Sequence, residues 1–280
     1  MKKDLVFEVK ESSKLLEFLY REVRGIPRGK IKSCLEHRQV FVNGIVTTKF
    51  DYELNEGDTV KISASEGSRK THGIEIIHED EFLVAINKPA KLLSVSTGTE
   101  SNRTAYSLLR ENRRGELFVV HRLDRDTSGV LLFAKTREVC SLMQQDWNAR
   151  VTVREYLAIC EGGFEVKKGR CDTLISENSV HVMHSGKDGK RAITDYEVID
   201  EKNGFSLVRL LLRTGRKNQI RVHMKELGHP VVGDKKYGSN ENPIGRLGLH
   251  ASRLGFVHPK TGKEVIIKAP KEKRFKLPGK

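Results

Sequence analysis

The sequence has few cysteines and no long apolar run. Its four cysteines lie far apart and form no C-x-x-C pair: Cys34, Cys140, Cys160 and Cys171. Such isolated cysteines are typical of buried thiols in a reducing compartment, which predicts neither disulfides nor a structural zinc site. No stretch approaches the roughly 18 apolar residues of a membrane span, and the charged start at residues 1–4 does not lead into a signal-peptide apolar region. We therefore expect a cytoplasmic protein that does not associate with a membrane.

Acidic residues are also in short supply. Lys and Arg number 51 against 37 Asp and Glu, which gives a net charge of +14 in a chain of 280 residues. This charge suits a polyanionic partner such as nucleic acid or an anionic membrane surface, although a merely soluble basic protein would show it too. Apolar residues make up 37% of the chain, enough for a core of ordinary size, and the length allows one large domain and one small one.

Residues 1–63 have the pattern of a small α+β domain. The periodicity predicts a strand, two helices, a hairpin with an Asn-Gly turn and a closing strand, at residues 5–10, 13–23, 28–35, 40–46 and 57–62. Six basic side chains surround the helix junction: Arg21, Arg24, Arg28, Lys30, Lys32 and Arg38. They could follow a phosphate backbone, or they could form an ordinary solvated helical face.

A small, polar stretch at residues 64–73 lacks apolar periodicity. Such a composition predicts a flexible linker, although polar surface loops also occur within single domains. We place a domain boundary there, so that residues 74–280 form the larger domain. That domain ends in a basic tail, residues 258–280, which could contact phosphates or stay solvated.

The most informative stretch is residues 118–136, which reads FVVHRLDRDTSGVLLFAKT. Two apolar runs predict short strands, and the polar connection between them carries Arg122, Asp124, Arg125 and Asp126. Charged groups in a tight connection between buried strands are held rigidly yet exposed, as catalytic groups are. Polar turns are much commoner than active sites, so loop chemistry alone favours an ordinary turn closed by Ser128 and Gly129.

The string from His121 to Gly129, followed by apolar residues, closely resembles the central motif of the RluA-like family of RNA pseudouridine synthases. Nine consecutive residues of unusual content make this a specific match. Within residues 1–63, the order of elements and the segments 38–44 and 54–60 resemble the S4 RNA-binding module, which precedes the catalytic domain in many members of that family.

Three further segments resemble the same family. Asn87-Lys88-Pro89-Ala90 is similar to its first motif, with Lys91 where glycine is usual. Arg154-Glu155-Tyr156 is similar to its tyrosine motif, with arginine in place of lysine. Residues 215–223 are similar to its arginine segment, with Asn218 where histidine is usual. The resemblance therefore extends over most of the chain.

The resemblance implies an α+β fold: a catalytic domain built on a mixed, mostly antiparallel sheet, preceded by a small α+β S4-like domain. It implies that Asp124 is the catalytic aspartate, that Tyr156 stacks on the uracil, and that Arg221 pairs with Asp124. Arg122 resembles the residue that fills the gap left by the extruded uridine. The implied reaction needs no cofactor and no metal. The expected partner is RNA, ribosomal RNA first and transfer RNA second, and we expect a monomer.

Two other interpretations follow from the residues. Asp124 and Asp126 fit the D-x-D-x-T loop of haloacid-dehalogenase-like phosphatases, but those enzymes place an unbroken apolar strand before the first Asp and need a later acidic pair for magnesium. The second is a non-enzymatic RNA-binding assembly factor, in which the S4-like module and the basic tail bind RNA. The presence of Asp124, Tyr156 and Arg221 together argues against it.

Overall fold

The computed structural model describes residues 4–36, 39–43, 45–63, 69–71, 74–96, 103–111, 113, 115–179 and 182–279. The chain divides into two compact units. Unit 1 comprises Met1–Lys70 and Glu75–His78, and unit 2 comprises Thr71–Ile74 and Glu79–Lys280. Throughout the described ranges, no helix combines the length and the apolar character that a membrane crossing requires. All four cysteines are free and buried.

The described residues of unit 1 form two helices and two small sheets. Its elements are β1 (Leu5–Glu8), β2 (Ser13–Lys14), α1 (Leu15–Glu22), α2 (Arg28–Glu36), β3 (Val40–Val42), β4 (Ile45–Val46), β5 (Glu53–Leu54) and β6 (Thr59–Ile62). The strand order is β1-β6-β3-β4, and β2 pairs with β5. Apolar residues at helical spacing on α1 and α2 form its core with the sheet, because one stripe of each helix faces inward. The turn predicted at Asn43-Gly44 includes Gly44, which lies outside the described residues.

The remaining elements are β7 (Arg69–Thr71), β8 (Ile74–Glu79), β9 (Leu83–Lys88), α3 (Ala105–Glu111), β10 (Phe118–Val119), β11 (Ser128–Ala134), α4 (Arg137–Gln145), α5 (Trp147–Arg150), β12 (Val151–Glu161), β13 (Lys168–Glu177), β14 (Met183–Gly186), β15 (Lys190–Lys202), β16 (Phe205–Leu212), α6 (Gln219–Glu226), a 3-10 helix (Lys235–Tyr237), β17 (Leu249–Val257) and β18 (Glu264–Lys268). In unit 2 the sheet runs β14-β13-β15-β16-β12-β17-β11-β9, with β10 beside β11 and β18 beside β17. The predicted mixed, mostly antiparallel sheet is confirmed.

One parallel contact joins β11 to β17, where Ser128 pairs with His250 and Gly129 with Ala251. Gly129 has φ +118, and a Cβ added to it would lie 2.1 Å from the carbonyl oxygen of Ala251. Only glycine permits both this conformation and this approach. The close contact fixes β17 against the first residues of β11, directly after the polar connection singled out in the sequence.

The C-terminal tail is partly built into the fold. Residues 264–268 form β18, and Phe275 is buried against Ile159, Val232 and Ile244. The alternative of a tail that stays solvated is therefore wrong for Phe275, and phosphate contacts by the basic side chains of the tail stay a prediction. Its apolar residues supply core packing, because burying a phenylalanine side chain contributes about 2 kcal/mol or more.

A half-buried acid of unit 2, Glu79, accepts hydrogen bonds from Arg113 and Lys135, at 2.7 and 2.8 Å. Burial raises the pKa of the Glu79 carboxyl, but the two cations exceed this effect and bring it to about 2, below its ordinary 4.5. A carboxyl whose pKa is lower in the folded state stabilises the protein above its unfolded pKa. This contribution is therefore complete above pH 4.5 and is lost as the pH falls towards 2.

We expect Glu79→Gln to lower the free energy of unfolding at pH 7 by about 2–3 kcal/mol, since the ion pairs are lost and two cations stay half-buried. Urea titrations of both proteins at pH 7 and pH 3 should show this difference shrinking at the lower pH. The matched control is Glu138→Gln, which removes an exposed ion pair with Lys260 and should change stability by less than about 1 kcal/mol. A difference that stayed constant with pH would contradict the role given to Glu79.

Candidate active site

The polar connection between β10 and β11, residues 120–127, is called the central loop below. Its backbone is fixed by hydrogen bonds on both sides of Asp124. The amide of Leu123 donates to Ser94 Oγ at 3.1 Å, and that hydroxyl donates to the carbonyl of Leu123 at 2.7 Å. The amide of Thr127 donates to the carbonyl of Asp124 at 3.2 Å, which closes a turn. Asp124 is therefore held in a rigid turn while its side chain remains accessible to solvent.

Lys88, at the end of β9, lies fully buried beneath the central loop. Its Nζ donates to the carbonyls of Pro89, Leu92 and Arg125, at 3.0, 2.7 and 3.0 Å. Burial lowers the pKa of Lys88 to about 7, although the carboxylates of the central loop oppose this. The three bonds tie the first motif to the central loop. This accounts for lysine at this position, because its three donors meet three carbonyls.

Lys91, in the same turn, has φ +67. This left-handed conformation is the reason that glycine suits the position, since only glycine adopts it without steric cost. Lys91 occupies this conformation at a steric cost that glycine would avoid.

His121 lies near the start of the central loop, and its imidazole accepts a hydrogen bond from the backbone. The amide of Leu132 donates to its Nε2 at 3.1 Å, and its ring centroid lies 5.0 Å from that of Trp147. Burial lowers the pKa of His121 to about 4, so the ring is neutral at physiological pH. Trp147 is half-buried and begins the short helix α5.

Tyr156 lies in β12, directly after a register shift in the pairing of β12 with β17. Such an irregularity redirects a side chain, and bulges are common beside active sites. The ring is half-buried. Burial raises the pKa of Tyr156 to about 12, with a further increase from the nearby carboxylate of Asp124. The phenol is therefore neutral at physiological pH and lies close to Asp124.

Arg221 lies in α6, which begins after Asn218 in a left-handed conformation with φ 54. Its Nε and Nη2 donate to the two carboxylate oxygens of Asp234, both at 2.6 Å, and its Nη1 donates to Asn218 Oδ1 at 3.0 Å. Its guanidinium lies over the ring of Tyr237, 4.5 Å from the centroid. The bidentate partner of Arg221 is therefore Asp234, and the direct pairing with Asp124 expected from the resemblance is not among the ion pairs of the described residues.

Asp124, Tyr156 and Arg221 nevertheless line one cleft of about 500 Å³. Arg122 and Lys217 lie at the same cleft, whose volume is in the range of small-molecule sites. Neither Asp234 nor Tyr237 was singled out in the sequence. Their contacts to Arg221 cross 13 and 16 positions of the chain, so no local pattern indicates them.

Desolvation and the positive charges of the cleft have opposite effects on the pKa of Asp124. Although Asp124 is exposed in the cleft, the cleft walls displace part of the water around its carboxyl, and this desolvation raises the pKa of that carboxyl. The positive charges of Arg221, Lys88, Arg122 and Lys217 lower it, with Arg221 the largest of the four. Arg221 thus favours the ionised carboxylate of Asp124 without bonding to it directly.

The basic residues singled out in unit 1 have different environments. Arg21 is engaged with Glu11 and Glu22, and the guanidinium of Arg28 lies 5.1 Å from the ring centroid of Tyr20. All five described residues of this set are exposed, the other three being Arg24, Lys30 and Lys32. Arg38 lies outside the described residues.

Comparison with known proteins identifies the family of the chain. The family model described as RNA pseudouridylate synthase matches residues 82–226. The chain is 31% identical over 285 residues to the ribosomal large subunit pseudouridine synthase C of Buchnera aphidicola, covering 92% of this chain and 90% of that protein. It is 34% identical over 228 residues to the tRNA pseudouridine synthase C of Haemophilus ducreyi, covering 73% and 93%.

Among solved structures, human RNA pseudouridylate synthase domain containing 1 is similar, with 27% identity and a TM-score of 0.62 over 72% of this chain and 85% of that one. The fold is that of an RNA-modifying isomerase. The chain belongs to the RNA pseudouridylate synthase family and is an RNA pseudouridine synthase.

Proposed function

We propose that this protein converts specific uridines of structured RNA to pseudouridine, with Asp124 as the catalytic group. The observation that carries the proposal is one cleft lined by Asp124, Tyr156 and Arg221. The reaction breaks the N1–C1′ glycosidic bond, turns the base, and joins C5 to C1′. Because no group is added and no electrons are exchanged, the proposal requires neither a cofactor nor a metal.

Breaking the glycosidic bond builds positive charge on the sugar, and an ionised carboxylate beside C1′ stabilises that charge, as in glycosidases. In the proposal this carboxylate is Asp124. It either attacks C1′ or accepts a proton while the sugar passes through an unsaturated intermediate. The rigid turn around Asp124 supports either route, since a small displacement of a catalytic group can cost about 100-fold in rate.

The target uridine must leave its stack, at a cost of a few kcal/mol. In the proposal Arg122, exposed at the cleft, fills the gap that the base leaves, and Tyr156 stacks on the uracil in the cleft. Asp126 and Arg125 act within the central loop and do not contact the sugar.

For the substrate we propose ribosomal RNA first and transfer RNA second. Residues 1–63 would act as an S4-type RNA-binding domain, joined by a linker at residues 64–73 to the catalytic domain at 74–280. The exposed basic residues Arg24, Lys30 and Lys32 support phosphate binding there. We propose that the enzyme acts as a monomer.

The test is tritium release from RNA labelled at uridine C5, with ribosomal and transfer RNA transcripts as separate substrates. Release from ribosomal RNA, absent without protein, is the expected result. Release from transfer RNA alone would support the second substrate. RNA binding without release from any cellular RNA would favour the non-enzymatic assembly factor over our proposal.

The hydroxyl of Tyr156 gives a separate prediction. Because the phenol lies near Asp124 and is neutral at physiological pH, we propose that its oxygen accepts the C5 proton while its own proton passes to the carboxylate of Asp124. Tyr156→Phe should then lower single-turnover tritium release on the order of 100-fold while RNA affinity changes by less than about twofold, as expected for loss of an acid or base. The matched control is Tyr106→Phe, a tyrosine of α3 that packs beside Phe133 outside the cleft lining. Equal rates for Tyr156→Phe and wild type would limit Tyr156 to stacking.

A further inference from the structure

A buried polar cluster lies at the start of β11, where the central loop ends. It consists of Ser128, Arg246 and His250, which are 2%, 3% and 1% exposed. Ser128 follows Thr127 directly and pairs with His250 in the parallel contact between β11 and β17. None of the three has a part in the proposed reaction.

The hydrogen bonds of the cluster run in one direction. Arg246 Nη2 donates to Ser128 Oγ at 3.1 Å. A guanidinium cannot accept, so the serine hydroxyl has its own hydrogen free to donate to His250 Nδ1, at 2.8 Å. His250 Nε2 then carries the ring proton and donates to the carbonyl of Ala269, at 3.3 Å. Burial lowers the pKa of His250 to about 4, in agreement with a neutral ring that accepts at Nδ1 and donates at Nε2.

The C-terminal segment closes the other side of this cluster. Arg246 Nε lies 3.4 Å from the carboxylate of Glu272, and its guanidinium lies 5.1 Å from the ring centroid of Phe275. Arg246 Nη1 also donates to the carbonyl of Leu247 at 2.7 Å. The hydrogen-bond chain thus extends from the segment 269–275 to the first residue after the central loop.

Burying the charged guanidinium of Arg246 costs free energy of folding. Arg246 is buried, the carboxylate of Glu272 that lies 3.4 Å from its Nε is one-third exposed, and this Nε makes no hydrogen bond within the described residues. A buried charge with an incomplete set of partners costs several kcal/mol, and apolar residues of similar volume are often as stable or more so. Stability alone therefore does not account for an arginine here.

We propose that Arg246 is a positioning residue for the central loop, which acts through Ser128 and His250, and that the segment 269–275 completes this support. The inference rests on the proposed function, because it assigns the cluster to the placement of Asp124. Arg246 fixes the hydroxyl of Ser128, and Ser128 fixes where the central loop meets β11. Loosening this point displaces Asp124 relative to C1′ and leaves the RNA-contacting surface unchanged.

The first test is Ser128→Ala, which removes one oxygen and keeps the apolar packing of β11. We expect the single-turnover rate of tritium release to fall about tenfold while the KM for RNA stays within about twofold, as for a displaced catalytic group. The matched control is Ser206→Ala in β16, which removes an equally buried hydroxyl that donates to Gly162 and Glu201. The melting temperature of Ser206→Ala should fall about as much as that of Ser128→Ala, while its rate of tritium release stays at the wild-type value. Equal rate losses in the two variants would overturn the proposal.

A double-mutant cycle tests whether the cluster acts as a unit. His250→Phe keeps the ring beside Phe275 and removes both nitrogens. Ser128→Ala and His250→Phe together should cost no more in rate than the larger single effect, because residues of one hydrogen-bond chain are not additive. Additive losses would contradict the chain.

A third variant tests the cluster without changing a buried residue, so that unfolding does not account for its effect. Glu272→Gln changes a partly exposed side chain, so it leaves the core intact, and we expect a rate about threefold lower at unchanged KM because Arg246 loses its carboxylate partner. An unchanged rate would overturn the part given to the C-terminal segment. If wild type releases no tritium, the proposed function fails; if wild type is active and Ser128→Ala matches it, only this inference fails.

Discussion

Asp124→Asn should abolish isomerisation and leave the fold intact. We expect single-turnover tritium release to fall by at least about three orders of magnitude, because the amide carries no charge to meet the cationic sugar and cannot act as a base. RNA affinity should stay within about twofold, since Arg122 and the basic surface are untouched. Burial raises the pKa of Asp124, so its charge is a cost to folding, and the neutral amide should unfold at the same temperature or a higher one.

The matched control is Asp126→Asn, two residues away in the same loop. Asp126 is exposed, and its charge interacts with that of Lys88. Because the proposal gives Asp126 no contact with the sugar, Asp126→Asn should lower the rate by less than about tenfold. Asp124→Asn with wild-type release, or Asp126→Asn with the larger loss, would contradict the assignment of Asp124.

The pH dependence of the wild-type rate follows from the same carboxyl. In the proposed mechanism the ionised carboxylate of Asp124 is the active form, so the rate should fall as the pH drops through the pKa of Asp124. Because burial raises this pKa above its ordinary 3.8, the acid limb of the profile should lie above pH 3.8. An acid limb at or below that value would mean that the four cations outweigh burial.

Much of the fold follows from sequence pattern, since alternating strands and amphipathic helices are short-range features. The central loop was placed between two strands from its apolar flanks alone. The parallel contact of β11 with β17 could not be predicted, because it depends on Gly129 meeting Ala251 across more than 100 positions. The buried Phe275 was hidden within a strongly basic tail. Its partners lie in distant strands, so composition gave no indication of them.

For the candidate site too, the local motifs could be predicted and the long-range contacts could not. Asp124, Tyr156 and Arg221 were recognised from their motifs, and all three line the cleft. The partner of Arg221 was expected to be Asp124, because the resemblance gives the pair without its surroundings. In the structure Asp234 is 2% exposed, and its two carboxylate oxygens accept hydrogen bonds from Nε and Nη2 of Arg221. This pairing is expected, because a buried carboxylate must be paired.

Arg221→Met should destabilise the protein more than any other substitution considered for the cleft. It leaves the carboxylate of Asp234 buried without its cation, which costs about 3–5 kcal/mol for one partner of a buried pair. Chemical unfolding at pH 7 measures this loss. An unchanged free energy of unfolding would mean that Asp234 is paired elsewhere.

The double variant Arg221→Met/Asp234→Asn separates stability from catalysis. Removing both charges should recover most of the lost stability, because replacing both partners of a buried pair is far less costly than removing one. Activity should not recover. Arg221 supplies the largest of the charge effects that lower the pKa of Asp124, so without it that pKa rises further and the acid limb of the rate profile moves to higher pH. A stable double variant with a wild-type profile would show that the positive charge of Arg221 does not act on Asp124.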